Sequence, residues 1–295
     1  MKEAESDNPT SQTSQTKGSL YVVSTPIGNL EDITLRALRI LKSGALIAAE
    51  NTAHTRALCR HFQIRAKITS LNQHNQKAKS PVLIDRLKSG DDVAVITDAG
   101  TPGISDPGIY FINLALEEGI RVTPIPGPSA LVAALSVSGM QTDKFIFFGF
   151  LSNKPGRRKN QLRELSSETR TMVFFEAPHR LLSMLKDIKE MLGDRQIVMA
   201  REMTKIYEDV RRGPVSAIIA SLPEDKIKGE ITLVVAGSGE KMLQHFSSST
   251  LHDMDEMIAE KRMSIKDIAE LISKREALSF RQVYKECLIR KRAML

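Results

Sequence analysis

The sequence predicts an α/β protein of two domains followed by a small helical extension, and three observations predict it. Short apolar runs alternate with helical patterns from residue 19 to about 135, the pattern of strand–helix–strand crossovers and so of a mainly parallel sheet. From about residue 136 to 239 strand candidates continue, but helices interrupt them less regularly, which predicts a second domain with a mixed sheet. After Gly237-Ser238-Gly239 the periodicity becomes helical to the end, residues 240–295.

In order, residues 1–18 are rich in Ser, Thr and Gln with little to bury, and read as a tail. Strands are expected at 20–24, 45–49, 92–97 and 121–123. Helices are expected at 33–42, 53–62, 81–87 and 109–118, the last ended by Gly119 as a C-cap. In the second domain the strand candidates are 145–149, 171–175, 197–200, 210–213 and 231–236, with a helix at 180–192. In the extension Ser264 is read as the N-cap of a helix over 265–273, and Ser279 as the start of another over 280–292. Residues 264–295 carry eight Lys and Arg against four Asp and Glu. Two short helices with a basic second member suggest a helix-turn-helix-like unit, or a solvated helical extension packed on the body.

Lys and Arg number 42 against 35 Asp and Glu over 295 residues, a net charge of +7, which permits a polyanionic partner without requiring one. Cys59 and Cys287 form no C-x-x-C pair, so neither a disulfide framework nor a zinc ribbon is indicated, and Cys59 reads as a small buried hydrophobe. The six histidines show no metal-ligand spacing, and no metal is expected. No apolar stretch reaches the roughly 20 residues of a membrane span, and no secretory signal opens the chain. A soluble, cytoplasmic protein is expected.

Three Gly/Pro loops each follow a strand candidate in the first domain: Ser24-Thr25-Pro26-Ile27-Gly28-Asn29-Leu30, residues 98–108, and Pro124-Ile125-Pro126-Gly127-Pro128-Ser129-Ala130. Loops at the carboxyl ends of parallel strands converge on one crevice, where ligands bind. Glycine lets the backbone approach a ligand, and a helix N-terminus offers free N–H groups to a carboxylate or phosphate. None of the three matches G-x-G-x-x-G or the P-loop. The residues alone lead to a small-ligand crevice in an α/β enzyme.

The loops, together with Phe175-Glu176-Ala177-Pro178-His179-Arg180, Ala200-Arg201-Glu202-Met203-Thr204-Lys205 and Lys228-Gly229-Glu230, resemble the tetrapyrrole methylase superfamily over about residues 19–238. They are most similar to its ribosomal branch, the 16S rRNA cytidine 2′-O-ribose methyltransferases. The resemblance implies two α/β domains with S-adenosylmethionine folded into the cleft between them, a homodimer, and 16S rRNA in the small ribosomal subunit as substrate. It implies that Pro26 and Gly28 lie beside the cofactor, that Ala99, Gly100, Thr101 and Ile104 line it, and that Ser129 and Ala130 hold its methionine end. Phe175, Glu176, Met203 and Ile231 are implied to close over the adenosine. The family usually reads Glu-Asp-Thr-Arg where this chain has Glu50-Asn51-Thr52-Ala53, so an acid and an arginine are missing from a polar loop.

A ribose hydroxyl is a weak nucleophile at neutral pH, and a base within hydrogen-bond reach helps it. Glu50, His74 and Lys205 are the catalytic candidates, with Asp106, Glu176 and Glu202 also in the predicted crevice. For RNA the candidates are Arg157, Arg158 and Lys159, with Lys154, in the glycine-containing loop after Phe150, joined by Arg56, His179 and Arg180. Two other functions stay open on the sequence: a small-molecule methylase of the same superfamily, and a non-catalytic RNA-binding relative.

Overall fold

The computed structural model describes residues 17–223, 227–239, 246–260, 262–276 and 280–293. Nearly all of the N-terminal stretch read as a tail lies outside them, as does Ser279. The chain divides into two compact units, one comprising the residues up to Ala133 together with Glu202–Glu208, the other Ala134–Arg201 and the chain from Asp209 onward.

The first unit is built from β1 (Ser19–Val23), α1 (Leu35–Lys42), β2 (Leu46–Ala49), α2 (Thr52–His61), β3 (Ile68–Ser70), α3 (Gln76–Lys88), β4 (Val93–Ile96), α4 (Ile109–Glu117) and β5 (Arg121–Ile125). Its five strands lie in the order β3-β2-β4-β1-β5, and every pair is parallel. Alternate residues of each strand face opposite sides. Ala94 and Ile96 pack with Val23, Ile47, Ala37 and Leu41 on one side; Val93 and Val95 pack with Leu20, Leu83, Leu87 and Phe111 on the other. Helices therefore cover both faces, and β4 is buried along its whole length. Connections leave β1 and β4 in opposite directions, so their carboxyl ends border the switch point of the sheet, the place where open α/β sheets bind ligands.

Helix α5 (Ala130–Ser138) carries the chain into the second unit. There β6 (Phe145–Phe150), α6 (Pro155–Glu164), β7 (Thr171–Glu176), α7 (Leu181–Leu192), β8 (Gln196–Arg201), β9 (Asp209–Pro214), α8 (Val215–Ser221) and β10 (Ile231–Val235) follow. The sheet order is β6-β7-β10-β8-β9, with β6 and β7 parallel and the remaining pairs antiparallel, a mixed sheet. Met172, Phe174, Met199 and Leu233 pack against Leu162, Leu181, Met184 and Ile188 of α6 and α7.

The C-terminal part is a bundle of three helices, α9 (Ser248–Glu260), α10 (Ile265–Arg275) and α11 (Phe280–Ala293). Ser264 caps α10 in a reciprocal capping box with Asp267. Met254, Ile258, Ile268, Ala269, Ile272, Val283 and Cys287 form a core shared by these helices, with Phe246 packed against it.

The α/β class, the parallel and mixed sheets and the helical extension agree with the expectation from sequence. Three differences have local causes. Residues after Phe150, expected as a loop, form α6, with Pro155 in the first turn, where a missing N–H is harmless. Strand β3 spans three residues, too few to show an alternating pattern. Helix α9 escaped notice because it opens on Ser-Ser-Thr and buries little beyond Met254 and Ile258. Among the described residues, no helix is long and apolar enough to cross a membrane, and no group of three His, Cys, Asp or Glu is placed to hold a metal.

Candidate active site

The loops after β1, β4 and β5 meet, as the sequence predicts. Thr25 and Gly100 exchange both backbone hydrogen bonds, at 2.9 and 3.0 Å, so the first two loops are stitched into a one-residue antiparallel bridge. The Ser24 and Thr101 hydroxyls lie 2.8 Å apart, and Thr25 Oγ1 donates to the Thr97 carbonyl at 3.0 Å. On the other side, Ser24 N–H donates to Ile125 O, and a β-carbon at Gly127 would stand 3.0 Å from Ser24 Cβ. Ser24 and Thr25 thus join three loops that are distant in sequence. Gly100 has φ +77°, a conformation that favours glycine. This places Pro26, Gly28, Ala99, Gly100, Thr101 and Ser129 on one set of connected loops.

A fourth segment of the same unit, Glu202–Glu208, lies against the first loop. A β-carbon on Gly28 would meet Lys205 Cγ at 2.4 Å and Thr204 Oγ1 at 2.9 Å. Glu202 and Thr204 both have positive φ, +51° and +67°. Non-glycine residues held there carry strain of the kind that gathers at functional sites. Lys205 Nζ donates to Glu202 Oε1 at 2.7 Å, while Thr204 Oγ1 is buried with no hydrogen-bond partner. A cavity of about 280 Å³ opens between the segment and the loops, lined by Ile27, Thr34, Gly127, Pro128, Ser129 and Thr204 among others. An unpaired buried hydroxyl beside close-set backbone suits a small polar ligand.

Glu50 stands at the carboxyl end of β2 and reaches to the exit loop of the neighbouring β4, where its Oε2 accepts the Asp98 N–H at 3.3 Å. Burial raises its pKa above the usual carboxylate value; the bond from Asp98 N–H opposes this, and the Asp98 charge adds to it. Asn51, at the departure from the family pattern, caps α2: its side-chain oxygen accepts from the N–H groups of Ala53 and His54. Asparagine caps as well as aspartate, so the departure leaves the helix start intact. Ala53, Arg56 and His74 are exposed, His74 on the turn between β3 and α3.

In the second unit, register brings Glu176 opposite Ile231 and Phe175 opposite Thr232, at one end of the sheet. Glu176 is buried, and burial raises its pKa against the opposing pull of the Ala177 N–H and of Arg180. The Arg180 guanidinium lies 3.1 Å from Glu176 and donates to the Leu151 carbonyl at 2.9 Å. Its donors brace the turn after β6 while part of its side chain stays accessible; His179 beside it is exposed. Arg158, read from sequence as an RNA ligand, is corrected by its burial. It is 3% exposed and locked to Asp187 at 2.6 Å, so it joins α6 to α7 instead of facing solvent. Lys159 is bound to Glu190 at 2.6 Å, whereas Arg157 is exposed. A run of three basic residues on a helix cannot all point outward, and only the packing shows which one turns in.

Residues 19–219 match the family of Tetrapyrrole (Corrin/Porphyrin) Methylases. The Ribosomal RNA small subunit methyltransferase I of Vibrio cholerae is 42% identical over 90% of this chain and 93% of its own length. The chain belongs to the tetrapyrrole methylase family. The enzyme of the same name from Thermotoga maritima is 47% identical over 75% of this chain and 99% of its own length, so that relative does without an addition of the present size. Among solved structures, the Uroporphyrin-III C-methyl transferase from Thermus thermophilus, complexed with S-adenyl homocysteine, has a TM-score of 0.55 at 16% identity. It covers 74% of this chain and 97% of its own, and shows the shared fold.

Within this tetrapyrrole methylase, Ser24, Asp98 and Thr204 join the candidate site, which their sequence context does not signal. Ser24 ends a strand and Asp98 begins a loop, which sequence shows without revealing that they touch Thr101 and Glu50. Thr204 becomes notable only through its positive φ and orphaned hydroxyl.

Proposed function

We propose that this methylase transfers a methyl group from S-adenosylmethionine to the ribose 2′-oxygen of a cytidine in the decoding region of 16S rRNA. It acts on the small ribosomal subunit, in the cytoplasm, as a homodimer. The observation that carries the reading is the bridge between Thr25 and Gly100 at the switch point of the parallel sheet, in a chain whose relatives bear the ribosomal methyltransferase name.

The stitched loops offer the cofactor a cradle. Gly100 gives backbone access, Gly28 lets the Lys205 segment pack against the first loop, and Pro26, Ala99, Thr101 and Ile104 line the wall. Ser129 and Ala130, at the start of α5, present N–H groups to a carboxylate. Met203 and the orphaned Thr204 hydroxyl complete the first unit's contribution. S-adenosylmethionine, when bound, supplies an electrophilic methyl group and departs as a neutral thioether. Forming the ether bond leaves one proton to be removed from the 2′-hydroxyl, and we assign that role to Glu50, a carboxylate whose burial strengthens its hold on a proton. Lys205, packed on Gly28, holds positive charge beside the loops and steers the RNA backbone. His74 and Arg56 lie on exposed surface at the same unit's loop ends, and Arg157 and His179 on exposed surface of the second; all four serve as phosphate contacts.

Purified protein incubated with methyl-labelled cofactor and unmodified small subunits tests this. The expected product is a 2′-O-methylcytidine located by nuclease mapping and mass spectrometry. Label on a nucleobase, or transfer to a tetrapyrrole with none to RNA, would overturn the proposal.

A further inference from the structure

The C-terminal bundle lies wholly beyond residue 219, the end of the family match, and has its own core. Its surface carries a feature that the core does not explain. Phe280, Tyr284 and Leu288 of α11 recur at i, i+4 and i+8 on one face and are 41%, 36% and 36% exposed. The Phe280 and Tyr284 rings are stacked, centroids 5.8 Å apart with 19° between their planes. Two stacked aromatic rings held open to water on a helix that already buries Val283 and Cys287 present a flat apolar platform.

Charge identifies what fits it. Of the basic side chains of this bundle, Arg275 is tied to Asp253 and Glu276, Lys274 to Glu270, and Arg290 to Asp255 and Glu286. Arg262, Lys266, Lys285, Lys291 and Arg292 are exposed, with no ion pair among the described residues. The last three are on α11, the helix that carries the rings, and Lys291 continues the face of Phe280 three turns on. Unneutralised cations beside an open aromatic pair match single-stranded nucleic acid, whose bases stack on rings while its phosphates meet the cations.

We infer that the Phe280–Tyr284 stack, with Lys285, Lys291 and Arg292, is a docking platform for single-stranded RNA that lies outside the methyl-transfer site. The inference rests on the reading of the chain as an rRNA methyltransferase and adds a second point of attachment for that substrate.

The test uses the full-length chain, fluorescence anisotropy and a labelled unstructured RNA of about 12 nucleotides, within the span such platforms cover. Phe280→Ala and Tyr284→Ala should each weaken binding roughly 5- to 100-fold, the range of a lost base stack. Phe280→Leu keeps apolar area but removes the ring and should weaken binding too, whereas Tyr284→Phe keeps the ring and should bind as wild type. Lys291→Gln with Arg292→Gln should flatten the salt dependence by roughly 0.7 per lost contact. Full affinity in the Phe280→Ala, Tyr284→Ala double variant overturns the inference. If light scattering then shows that variant dissociating, the stripe is a protein interface instead. Methyl transfer to small subunits is read in parallel: its absence in the wild type would sink the rRNA methyltransferase reading, while the anisotropy comparison still decides the platform.

Discussion

Glu50 Oε2 accepts the backbone N–H of Asp98 at 3.3 Å, tying the end of β2 to the loop that leaves β4. The bond anchors a carboxylate whose ionisation is opposed chiefly by its own burial. Its pKa is raised in the folded chain above the usual 4.5. Well below 4.5 folded and unfolded states are both protonated and the burial costs nothing. As pH rises past 4.5 the unfolded chain ionises first, and the folded state loses stability until Glu50 ionises too. Glu50→Gln keeps an acceptor for Asp98 N–H and removes the charge. The variant should therefore melt above wild type at neutral pH, the gap closing as pH falls toward 4.5, while kcat drops by about 10²- to 10⁴-fold, the range of a lost general base. Calorimetry and rate measurements over pH check both, and an unchanged kcat would remove Glu50 from the chemistry.

Gly28 is constrained by a neighbour far along the chain. A β-carbon there would stand 2.4 Å from Lys205 Cγ, inside any real contact. Gly28→Ala should displace the Lys205 stem and lower kcat/KM by up to about 10²-fold, as displacements near 1 Å do. In a Lys205→Ala background the same change should cost less, because the Lys205 stem atoms are gone and only Thr204 Oγ1, at 2.9 Å, still crowds the site. A double-mutant cycle should then return a coupling of about 0.5–3 kcal/mol; additive losses would mean the two residues act separately.

Periodicity and turn chemistry made the first sheet readable: four of its five strands and all four of its interior helices follow from apolar spacing and Gly/Pro punctuation. The meeting of the three loops was legible too, because parallel strands put their carboxyl ends on one edge. Side-chain direction was not. Arg157 and Arg158 are neighbours with the same chemistry, yet one is exposed and the other buried on Asp187. The strain at Glu202 and Thr204 was equally hidden, since neither residue advertises a left-handed backbone.

That contrast gives a third prediction. Arg158→Ala leaves Asp187 buried without its 2.6 Å partner and should cost about 3–5 kcal/mol of stability. Arg157→Ala removes only an exposed cation and should leave stability alone while weakening RNA binding. Denaturant titration and RNA binding on the two variants separate the roles. A stable Arg158→Ala protein with poor RNA affinity would return Arg158 to the RNA surface.

Asn51 supplies a fourth. Its side chain accepts two backbone N–H groups at the start of α2, so Asn51→Ala should cost about 1 kcal/mol and Asn51→Asp almost nothing. Ala53→Arg, at an exposed position, should be tolerated and steepen the salt dependence of RNA binding by roughly 0.7–0.9 if it gains a phosphate contact. Equal melting temperatures for Asn51→Ala and wild type would deny Asn51 its capping role.

A chain ending at Gly239 tests whether the bundle is separable. The cut must not fall earlier: Ala236 N–H donates to Gln196 O at 2.9 Å and Ser238 N–H to Glu168 O at 2.5 Å, bonds that fasten the end of β10. A β-carbon at Gly237 would lie 2.0 Å from Thr169 O, so this stretch runs tightly over the segment that leads into β7. Beyond this stretch, α9, α10 and α11 bury their apolar faces on one another. The shortened chain should keep its two sheets, unfold cooperatively and bind S-adenosylmethionine as the full chain does. It should lose affinity for single-stranded RNA, with a flatter salt dependence, because Lys285, Lys291 and Arg292 leave with α11. Methylation of small subunits should then show a raised KM with kcat little changed, the signature of lost uniform binding. A shortened chain that aggregates or fails to bind cofactor would make the helices part of the folding core. Unchanged KM and RNA affinity in a well-folded shortened chain would leave the bundle without a part in substrate capture.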